Sequence, residues 1–154
     1  SAIYLVWQGR ERSLGARAAS ILASSIMGPV AFSLATADGS PAAVSIHAWA
    51  TCAAFGLHYI GTVPLVRSMI RGRKDPRWAV GSTLLHAAFT LGAAVAWWFG
   101  ALAIWPVIMW AFLTVRAWVM PTISRKRARP LSPKLVGYSE LGWSLLLIVS
   151  LLIP

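Results

Sequence analysis

Acidic residues and cysteine are scarce in this chain of 154 residues, which contains four Asp and Glu in total and one cysteine. A single cysteine excludes an internal disulfide and a cluster of thiolate metal ligands. Charged residues make up 12% of the chain, against about 25% in a typical soluble domain, whereas 58% of the residues are hydrophobic. These deficits exclude an ordinary soluble domain and indicate an integral membrane protein.

The common catalytic motifs are missing as well. The sequence contains no P-loop, no HExxH, no nucleophile elbow and no DxxxD pair of the type that holds a magnesium diphosphate in intramembrane prenyl transfer. We therefore expect any chemistry to depend on the few ionisable residues inside or near the membrane, because such residues are expensive there. They are His47, His58, His86, Arg67, Arg116 and Glu140.

Long charge-free runs predict the number of membrane spans. The runs are Ala18–Ala37, Gly39–Val66 and Trp78–Val115, followed by a last apolar run from Leu141. A helix needs about 20 apolar residues to cross the hydrocarbon, and the third run is long enough for two helices with a turn near Phe99-Gly100. The sequence thus predicts five spans, at about 18–37, 42–66, 78–99, 103–120 and 135–153.

These spans should be helices, because backbone groups in hydrocarbon must bond internally and the alternation of a membrane barrel is absent. We predict an all-α, polytopic transmembrane helical bundle forming a single domain over residues 1–154. Residues 1–17 are expected to form a cytoplasmic lead-in loop. Within them, Ala2–Trp7 is apolar and resembles the end of an upstream helix, so we expect the chain to be a fragment or one half of a longer membrane protein.

The 14 basic residues test the five-span prediction, because its alternate loops lie on opposite sides. All of them fall before span one, between spans two and three, or at or between the ends of spans four and five. By the positive-inside rule this side is cytoplasmic. Short basic loops between spans do not resemble a nucleic-acid surface, so we expect no nucleic-acid partner. We expect anionic lipids as partners at the cytoplasmic face.

Two sets of charged residues are candidate sites. The donor-rich group at the cytoplasmic rim is suited to anions or lipid headgroups, and comprises Arg67, Arg71, Arg73, Lys74 and Arg116. Arg116 and Glu140 should have similar depth on consecutive helices, which predicts a structural ion pair. The alternative is that each of these two side chains reaches separately to the interface.

The three histidines allow two interpretations. His47 and His58 are 11 residues apart and should face the same way on one helix, while His58 and His86 should both lie about 12 Å deep. Histidines on adjacent helices could ligate haem or a chlorophyll-type pigment. The alternative, which we favour, is hydrogen bonding to neighbouring helices. We expect no metal site and no cofactor, with a haem or pigment as the alternative.

Several short segments resemble a known family. They are Arg10–Ser13 (RERS), Gly61–Arg73 (GTVPLVRSMIRGR), His86 and Leu131–Glu140 (LSPKLVGYSE), and they are similar to the second half of the YwiC-like family of bacterial integral membrane proteins. A PKEHGAW-type motif associated with the first half is absent. The resemblance implies a multi-pass protein of the bacterial cytoplasmic membrane, and it implies no activity.

Three function hypotheses follow. The first is a binding or accessory subunit within a larger respiratory or photosynthetic membrane complex, with other membrane subunits as partners. The second is a membrane enzyme or transporter that handles an anionic, lipid-like substrate at the cytoplasmic face. The third is a haem-binding or pigment-binding subunit that uses His58 and His86.

Overall fold

The computed structural model describes residues 14–35, 46–129 and 131–153, and all regular structure in these ranges is α-helical. The helices are α1 (Leu14–Ala35), α2 (Ile46–Met69), α3 (Pro76–Trp98), α4 (Ile104–Lys126) and α5 (Pro133–Leu152). Helices α2 to α5 are long and apolar enough to cross a membrane, and α1 contains the apolar stretch Ala18–Ala31. The predicted helical bundle is confirmed, and the chain is a multi-pass membrane protein.

Several helices extend beyond the predicted spans. Helix α1 begins at Leu14, inside the segment expected to be a loop, and α4 ends six residues after the predicted position 120. A charge-free run marks only the part of a helix that lies in hydrocarbon, whereas the helix itself can continue into the headgroup layer. The segment Ala2–Trp7, the predicted end of span one at position 37 and the predicted start of span two at position 42 lie outside the described residues.

Capping residues account for the early starts of α3 and α5. The Asp75 side chain accepts a hydrogen bond from the Arg77 backbone N–H, and the Ser132 side chain accepts one from Leu135 N–H. A proline follows each cap at the first helical position, where its missing N–H has no consequence. Both helices therefore begin two residues before the apolar pattern alone predicts.

The chain divides into two compact units, Ser1–Ile60 and Gly61–Pro154. In the first unit, α1 and the early part of α2 approach closely at small residues. A Cβ atom on Gly56 would lie 2.6 Å from Ser25 Oγ, and one on Gly28 would lie 3.0 Å from Cys52 Sγ. Small residues at such points allow membrane helices to pack backbone against backbone.

In the second unit, α3 and α4 form an antiparallel hairpin whose turn depends on Gly100. Its φ of 71° is in the left-handed region, which suits a residue without Cβ. The Gly100 N–H donates to Trp97 O and the Ala101 N–H to Ala96 O, which satisfies carbonyls at the end of α3. The turn predicted at Phe99-Gly100 is therefore present.

Helix α4 continues through Pro121, and a neighbouring helix explains how. Proline has no N–H for the carbonyl four residues earlier, which here belongs to Ala117. That carbonyl accepts a hydrogen bond from Thr83 Oγ1 of α3 at 3.1 Å. The freed backbone group is thus satisfied between helices, as hydrocarbon surroundings require.

At the end of the second unit that carries the basic loops, the helices are held together by apolar packing and hydrogen bonds. Leu65, Met69, Ala117 and Val136 form a buried hydrophobic cluster between α2, α4 and α5. Ser124 Oγ donates to Met69 O at 3.1 Å. These contacts bring the end of α2 beside the end of α4.

Candidate intramembrane polar site

Hydrogen bonds between α3 and α4 establish which residues share a level in the membrane. Thr83 of α3 bonds to Ala117 O of α4, and Thr90 bonds to Trp110 O and Thr114 Oγ1. Along α3, His86 lies between Thr83 and Thr90. Along α4, Arg116 lies between the residues to which these threonines bond. His86 and Arg116 are therefore at a similar height along the paired helices. At a rise of 1.5 Å per residue, His86 is about 15 Å from the start of α3, which is close to the middle of that helix.

Arg116 of α4 forms an ion pair with Glu140 of α5. The distance from Arg116 Nη2 to Glu140 Oε2 is 2.8 Å, and the side chains are 3% and 15% exposed. Glu140 sits about two turns into α5, so the carboxylate is brought to Arg116 from the neighbouring helix. The structure therefore places the two residues of the predicted pair in direct contact, and neither side chain reaches away alone to the interface.

A single hydrogen bond leaves much of this pair's bonding capacity unused. Arg116 Nε, Arg116 Nη1 and Glu140 Oε1 are buried and have no hydrogen-bond partner among the described residues. The Arg116 guanidinium lies 5.3 Å from the ring centre of Trp143, which covers it from α5. A buried guanidinium with open N–H groups is a costly arrangement unless another group completes its bonding.

His86 is fully buried at the same level. Its Nδ1 atom donates a hydrogen bond to Ser82 O, one turn earlier in α3, at 2.8 Å. In the neutral ring Nε2 is then a hydrogen-bond acceptor. Both Nε2 and the buried Ser82 hydroxyl have no hydrogen-bond partner in the described part of the chain.

Gly61 of α2 and Trp110 of α4 enclose the imidazole of His86. A Cβ atom on Gly61 would lie 3.0 Å from His86 Cε1 and 3.1 Å from Nε2. The Trp110 ring centre is 6.1 Å from that of His86. The backbone of α2 therefore lies close to the ring edge that carries Nε2.

We refer to Gly61, Ser82, His86, Arg116 and Glu140 as the polar layer. It contains donors at Arg116, an acceptor at His86 Nε2 and an acceptor at Glu140 Oε1, all within the membrane-spanning helices. Ionisable groups at such depth typically mark pathways or binding sites for substrates and ions. A small anionic group that reached this layer would find unused N–H donors at Arg116.

The other predicted anion-binding residues lie elsewhere, in the last turn of α2 and in the turn that follows it. Arg67, Arg71 and Lys74 are exposed. Arg73 is half-buried, and its Nη2 atom donates to the Arg127 carbonyl of the other basic loop. The structure thus separates Arg116, which is buried in the polar layer, from the four rim residues.

The remaining two histidines belong to the first unit. His47 is exposed in the first turn of α2, whereas His58 is fully buried and its ring makes an edge contact with Tyr59 at 5.4 Å. His58 is 11 residues, or about 16 Å, from the end of α2. Among the described residues, no group of three or more His, Cys, Asp or Glu is placed to hold a metal ion.

Comparison with protein-family models, curated proteins and solved structures finds no match to this chain.

Sequence reasoning identified three members of the polar layer and missed Gly61 and Ser82. Glycines and serines are common in membrane helices, so neither residue stands out by type. A weak signal exists for Ser82, since it precedes His86 by four residues and therefore shares its helix face. No comparable signal marks Gly61, because its role depends on how α2 packs against α3.

Replacing Glu140 by glutamine should destabilise the protein. The change leaves the buried Arg116 charge uncompensated, and breaking a buried ion pair in this way costs about 3 to 5 kcal/mol. We expect a lower melting temperature in neutral detergent, and recovery in the double variant Arg116→Met/Glu140→Leu. Asp75→Asn is the matched control, because it makes the same chemical change at an exposed cap that asparagine can also form. Equal melting temperatures for Glu140→Gln and Asp75→Asn would contradict the role of the pair.

Gly61→Ala should also destabilise the protein, since the added methyl group would displace the His86 ring. Overpacking of this kind costs about 1 to 3 kcal/mol. The control is Gly92→Ala, where a Cβ atom meets nothing within 4 Å and where alanine should stabilise the helix slightly. In a His86→Ala background, Gly61→Ala should no longer lower the melting temperature, because the ring that the methyl group would displace is absent. A Gly61→Ala variant that melts like Gly92→Ala would show that the close approach does not exist.

Proposed function

We propose that this protein binds the anionic headgroup of a lipid-like molecule at the polar layer, as a membrane transporter or enzyme for that molecule. The proposal rests on the buried Arg116 guanidinium. Its Nη2 atom bonds to Glu140, whereas Nε and Nη1 have no hydrogen-bond partner among the described residues. Arginine is the side chain best suited to hydrogen-bond carboxylate and phosphate oxygens.

Glu140 supports the proposal through its single contact. Because only Oε2 touches the guanidinium, an incoming oxyanion can bond to the open nitrogens or replace the carboxylate. Glu140 therefore neutralises Arg116 while the site holds no ligand, which lowers the free-energy cost of keeping the charge in hydrocarbon. Binding and release then exchange one acidic partner of Arg116 for another.

His86 adds selectivity to the site. With Nδ1–H bonded to Ser82 O, the free Nε2 of the neutral ring accepts a hydrogen bond and cannot donate one. A ligand with a hydroxyl or a protonated oxygen beside its anionic group would match this acceptor. The close approach of Gly61 disfavours the alternative that His86 ligates a haem or chlorophyll-type pigment.

The location and family of the protein belong to the same proposal. We infer that it resides in the bacterial cytoplasmic membrane with its basic loops in the cytoplasm, and that it belongs to the YwiC-like family. The orientation is supported by the ten basic residues of the α2–α3 and α4–α5 ends, which share one end of the second unit with a single acidic residue among the described residues, Asp75. The family assignment is supported by the sequence segments alone.

The proposal predicts headgroup-dependent stabilisation of the purified protein. We would add dodecyl phosphate, dodecanoate or dodecyltrimethylammonium, which share one chain and differ in headgroup, to protein in a neutral detergent. At ten times the dissociation constant, a bound ligand stabilises by about 1.4 kcal/mol, so the two anions should raise the melting temperature and the cation should not. Arg116→Met/Glu140→Leu should make the increase much smaller.

The control for this experiment is Arg129→Gln, which removes an exposed cation outside the polar layer and should keep the response to dodecyl phosphate. A double variant that folds and still responds as strongly as the unaltered protein would refute binding at Arg116.

A second candidate function is an accessory subunit of a larger membrane complex. It is favoured by the large apolar surface that the described helices leave uncovered, including Leu84, Leu91, Phe112 and Trp118, each more than half exposed. Surfaces of this kind are covered by lipid or by other subunits in a membrane.

The accessory-subunit function predicts co-purification. Tagged protein extracted from its native membrane in a mild detergent should migrate with a constant set of other membrane subunits on native gels. Migration of the protein alone, at the size of a monomer or homo-oligomer, would count against this function and leave ligand binding at Arg116 unaffected.

A further inference from the structure

A second arginine is held in a defined position at the basic end of the second unit. The Arg67 guanidinium lies over the indole of Trp78, with 3.8 Å between its central carbon and the ring centre. Arg67 is in the last turn of α2 and Trp78 in the first turn of α3, so the contact joins two spans. Stacking against the ring fixes the plane of the guanidinium while the residue remains exposed.

The turn between these helices holds the stacked pair in place. A Cβ atom on Gly72 would lie 2.8 Å from Trp78 Cδ1 and 3.1 Å from Arg67 O, so only glycine fits there without a shift. The Gly72 N–H donates to Arg67 O at 2.7 Å, and the Asp75 N–H donates to Gly72 O at 3.0 Å. The turn is thus built on the backbone of Arg67 and packs against the edge of the indole.

The surroundings of the pair are strongly positive. Arg71, one turn after Arg67, is exposed, as are Lys74 and Arg77. Arg73 donates to the Arg127 carbonyl and so ties this turn to the second basic loop. The second loop contributes Arg129, which is also exposed.

We propose that Arg67 and Trp78, with Arg71, form a binding site for the phosphate of an anionic phospholipid in the adjacent leaflet. The site lies where a membrane helix ends, which is the depth of lipid phosphates, and tryptophan is enriched at that depth. The guanidinium is oriented before binding, so less side-chain entropy is lost when it takes a phosphate oxygen. This site is separate from the polar layer and does not depend on it.

The proposal states that the lipid binds at one defined site and is not merely attracted by the many positive charges of the loops. Arg67→Gln and Arg129→Gln each remove one positive charge, but only the first removes the stacked guanidinium. We would measure binding of phosphatidylglycerol and phosphatidylcholine to the full chain by native mass spectrometry. Arg67→Gln should weaken phosphatidylglycerol binding about tenfold, as expected for one charge-assisted hydrogen bond, whereas Arg129→Gln should change it less than twofold.

Two further arms complete the test. Arg67→Lys keeps the charge but loses the planar fork, so it should bind phosphatidylglycerol more weakly than the unaltered protein. Inorganic phosphate at millimolar concentration should not displace the lipid, because a docking surface in the leaflet also holds the lipid by its chains. The proposal would be overturned if Arg67→Gln and Arg129→Gln lost the same affinity for phosphatidylglycerol, or if phosphatidylcholine bound as tightly as phosphatidylglycerol. It would also be overturned if Arg67→Lys bound phosphatidylglycerol as tightly as the unaltered protein, or if inorganic phosphate displaced the lipid.

The two binding proposals can fail separately. The double variant Arg116→Met/Glu140→Leu should retain its phosphatidylglycerol binding, and a loss there would show that the lipid was bound at the polar layer instead of at Arg67.

Discussion

The Arg116–Glu140 ion pair constrains the second unit more than any other contact, because hydrocarbon offers neither residue another partner for its charge. The 2.8 Å bond requires α4 and α5 to be adjacent and in one register. The hydrogen bonds of Thr83 and Thr90 impose the same requirement on α3 and α4. Polar groups therefore determine which helices are neighbours, while the apolar residues of the spans could pack against many partners.

Polar groups in hydrocarbon must find hydrogen-bond partners within the protein, and this requirement applies both to the backbone at Pro121 and to the polar layer. Pro121 frees a carbonyl, and Thr83 satisfies it from α3. In the polar layer the demand is not fully met, since atoms of Ser82, His86, Arg116 and Glu140 have no hydrogen-bond partner among the described residues. The backbone defect is repaired by the bundle itself, whereas the proposed binding at Arg116 would use the donors and acceptors that remain.

Much of the fold could be predicted from the sequence, and the failures have physical causes. The charge-free runs predicted where the helices lie, since burial in hydrocarbon excludes charged residues. They underestimated α4, because a charge-free run marks only the part of a helix that lies in hydrocarbon, whereas α4 continues to Lys126. The Arg116–Glu140 contact was accessible to sequence reasoning because consecutive antiparallel helices joined by a short loop place equal depths side by side. The stacking of Arg67 on Trp78 and the role of Gly72 were not accessible, since they depend on the shape of one turn.

Composition and the order of apolar runs are sufficient to establish that this is a multi-pass helical membrane protein. The reason is that the residues of each segment determine by themselves whether it lies in hydrocarbon or in water. They cannot show which polar atoms are left without a partner, since that depends on distances between side chains far apart in sequence. The tertiary structure decides that Arg116 lies in the polar layer with His86 and Glu140, and that Arg67 lies at the rim against Trp78. Two arginines of one predicted group thereby acquire different environments, one desolvated and paired, the other exposed and stacked.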